Sequence, residues 1–155
     1  MRDLIDLDLY PLDRPDSPEW LALVDGCKAD LARDGMFNLP GFLRPTPLAK
    51  AVAELKPKLA TEAFTHARMH NIYFRKDIPG LAADHPALTL CETINHTLCG
   101  DQLQGMIVTQ IYELPKFAAF LAATMDKPVL YTMDDPLPRV NTMAYNEGEA
   151  LNWHF

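Results

Sequence analysis

Cysteine is scarce and unpaired in this sequence. Three thiols, Cys27, Cys91 and Cys99, occur in 155 residues and none sits in a C-x-x-C. An odd, unclustered set excludes a disulfide framework and reads as buried free thiols. Basic excess is missing as well. The net charge is -7, which argues against nucleic acid as the main partner, because phosphate binding calls for a basic surface. A small anionic ligand remains allowed, since it needs only one or two local cations. No apolar run approaches the ~18 residues of a membrane-spanning helix. The opening "MRDLIDLDLYPLDRPDS" sets acids among its leucines, where a secretory leader has a basic head and an apolar core. A cytoplasmic protein with no membrane partner is expected. There is no internal repeat and no low-complexity linker.

What remains is ordinary globular composition, 48% hydrophobic and 23% charged, in a chain long enough for one real core. Residues 1–16 read as an irregular lead-in. Ser17-Pro18 opens a helix with serine as N-cap and proline at the first helical position. Trp20, Val24, Cys27 and Leu31 recur at helical spacing and Gly35 closes the element. Thr46-Pro47 opens a second helix with Leu48, Val52, Leu55 and Leu59 as its buried stripe, kinked or ended by Pro57. A strand is expected around Ile72–Phe74, then a turn at Pro79-Gly80. Asp84 to Cys99 reads as a third helix, with positions 91, 95 and 98 inside. "GMIVTQIYEL" suits either a strand or the start of a helix. Pro115 begins another helix, with Phe117, Phe120, Leu121 and Thr124 to one side.

From Pro136 the texture changes. "RVNTMAYNEGEALNWHF" alternates, turns at Asn146–Gly148 and alternates again, the pattern of a hairpin. The expected fold class is α+β. A mostly helical region over 1–135 leads into a first hairpin over 136–155. In the last strand Asn152 and His154 would share one face, with Leu151, Trp153 and Phe155 on the other. A carboxylate at position 156 would join His154, giving two legs of the 2-His-1-carboxylate triad that holds Fe(II). A strand histidine is otherwise a structural residue.

The string "YNEGEALNWHF", preceded by "RVNTMAY", resembles the core motif of Fe(II)/2-oxoglutarate-dependent oxygenases, and within them the HalD/BesD-like group of amino-acid hydroxylases and radical halogenases. "THARMHNIYF", "DHPAL", "IYELPKFAAFLAATM" and "LYTMDDPL" are similar to that group's helical amino-terminal region, so the resemblance covers roughly residues 60–155. It implies a double-stranded β-helix, or jelly roll, incomplete in this chain, with helices outside. It implies Fe(II) as cofactor, 2-oxoglutarate as cosubstrate and His154 as the first iron ligand. Position 156 would be aspartate in a hydroxylase, or a small residue such as glycine in a halogenase. The second histidine and the arginine for 2-oxoglutarate would lie on later strands.

On this basis the parent protein hydroxylates an unactivated C–H bond of a small molecule, an amino acid or derivative. The chain alone is expected to be inactive. Halogenation is the alternative within the family, and a non-catalytic α-rich binding or oligomerisation module the alternative outside it. A homodimer is left open. Tyr145 and Asn141 are the expected cosubstrate contacts, Asn152 and Arg75 the expected substrate contacts, with Arg75 suited to a carboxylate. Each has a bland counterpart: a strand tyrosine, turn asparagines, a solvated arginine. His66 and His70 are four apart but lack the glutamate of a zinc helix. Cys91, His96 and Cys99 lack a fourth ligand and are read as helix core.

Overall fold

The computed structural model describes residues 1–154. It is an α+β protein of four helices and one small antiparallel sheet. The chain divides into two compact units, each built from two stretches of sequence: residues 1–56 with 100–140, and 57–99 with the chain from 141 onward.

The first unit carries the apolar core. Helix α1 (Pro18–Asp34) begins as its sequence dictates. The Ser17 side chain accepts the Trp20 backbone N–H, Pro18 occupies the first turn, and Gly35 caps the end at φ 73°. Trp20, Val24 and Cys27 are buried, a stripe at the expected spacing. The irregular lead-in is the less expected partner. Ile5, Leu7, Tyr10 and Leu12 are buried with the α1 stripe and with Phe120. Helix α2 (Pro45–Thr61) starts slightly before the expected position and continues through Pro57. Its last turn is held by Glu62 N–H to the Lys58 carbonyl and by the Lys58–Glu62 ion pair, both 2.7 Å. The buried residues on α2 are Pro47 and Ala51, whereas Leu48 and Val52 are exposed; the apolar stripe read from the sequence is therefore displaced around the helix. The ambiguous "IVTQIY" stretch is helix α3 (Ile107–Tyr112), and Pro115 opens helix α4 (Pro115–Thr124), which buries Phe120 and Thr124.

The second unit overturns two sequence expectations. Strand β1 spans Phe64–His70 and strand β2 spans Cys91–Leu98. The third helix expected over 84–99 does not exist. Pro86–Leu88 forms one 3-10 turn capped by His85 rather than Asp84, and the chain then extends. Thr93, Ile94 and Thr97 explain why, because β-branched side chains fit a pleat better than a helix. The strand expected at Ile72–Phe74 is instead a turn. Asn71 Oδ1 accepts the backbone N–H groups of Tyr73 and Arg75 at 3.1 and 3.2 Å, an asparagine turn that stops β1. Two strands thus fall inside the stretch read as mostly helical. The turn at Pro79-Gly80 stands as expected, with Gly80 at φ 88°.

The sheet order is β1-β2-β3, with β3 at Thr142–Ala144, all antiparallel. The terminal stretch is not a hairpin. β3 pairs His96 with Ala144, the chain turns at Glu147-Gly148, and it then comes back to β2 two residues along. The Ile94 N–H donates to the Ala150 carbonyl at 3.3 Å, and Asn152 N–H to Thr93 Oγ1 at 3.2 Å. Residues 145–149 therefore loop out of one edge segment that follows β2 on both sides of the loop. No helix among the described residues is long and apolar enough to cross a membrane.

Candidate functional site

Period-two alternation sets one face of the sheet. His66, Arg68 and His70 of β1 lie across from Asn95, Thr93 and Cys91 of β2, and Thr97 lies across from Met143 of β3. This face floors a cavity of about 310 Å³ that also takes in Phe64, Phe74, Asn141, Leu151 and His154. Its floor is polar although buried: Thr93, Asn95 and Thr97 are each 5% exposed or less. Buried polar groups need partners, and most are found locally. Thr97 Oγ1 donates to Asn95 Oδ1 at 2.7 Å. Thr93 Oγ1 accepts the Asn152 N–H, which leaves its own proton for His70 Nε2 at 2.7 Å.

Two histidines meet here with different prospects. His70 is buried and has both ring nitrogens engaged, Nδ1 lying 3.0 Å from the Asn71 carbonyl oxygen. Its ring stacks on Phe74 at 4.4 Å. Phe74 holds φ 54°, a conformation uncommon for a large side chain. His70 is a structural residue. His154 is exposed and stands edge-on to the Phe74 ring at 5.4 Å. Its Nδ1 is 2.8 Å from the Asn152 carbonyl oxygen. A carbonyl only accepts, so Nδ1 carries the proton and Nε2 presents a lone pair. This backbone-pinned tautomer is the arrangement in which imidazole ligates metals.

The other expected site residues are scattered. Asn141 lines the cavity with His154. Tyr145, expected on the same face as Asn141 and Met143, does not line it; it is 42% exposed and its hydroxyl lies 3.8 Å from Met143 Sδ. Asn152 donates its side-chain amide to the Glu92 carbonyl and orients His154 through its own carbonyl; it too is absent from the lining. The expected alternation fails at this point, since Leu151 joins His154 in the cavity. Phe155, expected on the side of Trp153, lies outside the described residues. Arg75 is in a neighbouring recess with Lys76 and Leu90, and both its backbone groups are engaged by Asn71. Arg68, which the sequence reading passed over, lines the cavity instead, its guanidinium 4.8 Å from the centroid of the Phe74 ring.

Cys91 and Cys99 are not helix core: Cys91 is exposed and Cys99 half-buried, while Cys27 alone is fully buried. His96 lies on the opposite face of the sheet from the cavity. Its Nδ1 is 3.0 Å from Thr65 Oγ1, and its Nε2 is 3.1 Å from Glu149 and 2.8 Å from Asn146 Nδ2. Glu149 fastens the loop. The Asn146 backbone N–H on its carboxylate at 2.7 Å, followed by the Asn146 amide and His96, holds its pKa below the usual carboxylate range.

No family model, curated protein or solved structure matches this chain. The site is thus judged on its own chemistry. Among the described residues no group of three or more His, Cys, Asp or Glu side chains is placed to hold a metal ion. His154 fits one position of a metal site and cannot hold an ion securely by itself. The cavity offers donors for an anion, a polar floor and apolar walls.

Proposed function

We propose that this chain is the amino-terminal part of a non-haem Fe(II)/2-oxoglutarate-dependent oxygenase that hydroxylates a C–H bond of a small organic molecule, an amino acid or a derivative of one. The observation that carries the reading is His154, with Nδ1 held by the Asn152 carbonyl and its side chain lining a cavity with a buried polar floor. In this reading His154 supplies one iron ligand. The sheet begins a jelly roll, and the remaining ligands come from polypeptide outside these 155 residues, as the resemblance implies. The bound metal and 2-oxoglutarate together supply the power to oxidise a C–H bond with O2.

This chain's residues bind and orient. Asn152 fixes the tautomer of His154, and Thr93 fixes the segment that carries Asn152. Phe74 and Leu151 keep part of the cavity wall apolar, which limits water at a reacting carbon. Asn141 is the lining residue closest in role to a cosubstrate contact. Such an enzyme would work in the cytoplasm, and an aspartate rather than a glycine at position 156 would direct it to hydroxylation and away from chlorination.

The coding sequence beyond position 155 tests the reading directly. An aspartate or glycine at the next position, then a histidine and an arginine further on, is the expected result. The protein with that sequence should convert 2-oxoglutarate to succinate only with Fe(II), and H154A should abolish conversion. An H154A variant of full activity would overturn the assignment. The 155-residue chain alone should be inactive.

A further inference from the structure

The sequence holds 21 acidic residues, yet no aspartate or glutamate lines the cavity on the sheet face. Its charge comes from Arg68. That guanidinium lies over the Phe74 ring, 4.8 Å from its centroid, and among the described residues no carboxylate pairs with it. On the same face, across from His66, β2 carries Asn95, 5% exposed. Its carbonyl oxygen is occupied by Thr97. Its amide nitrogen, still a donor of two hydrogens, meets no acceptor among the described residues. A cation stacked on an aromatic ring is already oriented. The apolar part of the remaining lining is Phe64, Met143 and Leu151.

We propose that the cavity binds a carboxylate carried on an apolar body, with Arg68 and Asn95 as its anchors, and that the ligand has no free ammonium group. Arg68 reaches the carboxylate in the charge-assisted manner characteristic of arginine. Asn95 donates to the same group from the floor. The hydrocarbon part lies against Phe64, Met143 and Leu151. Among the described residues, an α-ammonium would meet the cationic Arg68 and no lining acid to pair it. The class is therefore an aliphatic acid or an amino acid with its nitrogen acylated. Naming it as the substrate rests on the oxygenase reading above; the carboxylate site itself needs no metal.

The test is a metal-free NMR titration of the 155-residue chain with three probes: 4-methylpentanoate, its neutral amide, and leucine. Shifts at Arg68, Asn95 and Thr97 are expected with the acid. The amide and leucine should each bind about tenfold or more weaker, the change expected when a charge-assisted bond is lost. R68M should weaken the acid to a similar degree, R68K less, and R75M by under about twofold. The acid-to-amide ratio on the unmodified chain answers the question even if R68M folds poorly. Equal binding of acid and amide, tighter binding of leucine, an R75M loss equal to that of R68M, or no binding of the acid would each overturn the proposal. Carboxylate binding in a protein whose completed form never consumes 2-oxoglutarate would retain this site and remove the oxygenase.

Discussion

The two units of this protein have opposite interiors. In the first, Ile5, Leu12, Leu103 and Phe120 are sealed from solvent. In the second, Leu98 is the only buried hydrophobic side chain among the described residues, and the interior is His70, Asn71, Thr93, Asn95 and Thr97. The first has the make-up of a unit stabilised by apolar burial. The second is held by directional hydrogen bonds, each of modest net worth but costly to leave unmade. Apolar burial is concentrated in one unit and the candidate site in the other, and perturbations should separate along that division.

The largest effect is expected in the apolar unit. Phe120→Ala removes a fully buried ring that lies edge-on to Phe37 at 6.1 Å and should cost about 3–5 kcal/mol. Urea unfolding followed at Trp20 measures it. A loss below 1 kcal/mol would mean that the apolar cluster is not what holds this unit. In the polar unit, Thr93→Val keeps the shape but removes the hydroxyl shared by His70 and Asn152. About 1–3 kcal/mol is expected, together with faster hydrogen exchange at the Asn152 amide. Unchanged exchange would show that Thr93 does not hold the segment bearing His154.

Smaller effects sharpen the contrast. Ser17→Ala deletes the cap on Trp20 N–H, 3.2 Å away, and should lower stability by about 1 kcal/mol without touching the sheet amides. The loop offers a pH probe. Glu149 is held below the usual carboxylate range, first by the Asn146 N–H. Its contribution is complete above the ordinary glutamate range and is lost as pH falls through its lowered value in the folded protein. The Asn146 amide resonance should follow that loss, and in E149Q it should not titrate.

How much could be read in advance follows the same division. The ends of α1 were legible because Ser17, Pro18 and Gly35 act locally. The buried lead-in was not, because "LIDLDLYPL" has neither helical nor strand regularity and Ile5 finds its partners only in the folded unit. β2 was misread because residues 91, 95 and 98 also match a helical stripe; the alternation of Thr93, Asn95 and Thr97 was the signal for a polar-faced strand. His154 and Asn141 were found by motif and reach the cavity. Arg75 was singled out and Arg68 passed over, although only Arg68 lies on the cavity face of β1; telling them apart required knowing where that strand ended.

Because Ala150 and Asn152 return to the strand that Ala144 left, the excursion between them is decoupled from alignment. Its length could change by several residues while the imidazole beyond it kept its address. A spectroscopic label or a short affinity tag inserted after Glu147 should therefore leave the floor of the cavity unchanged.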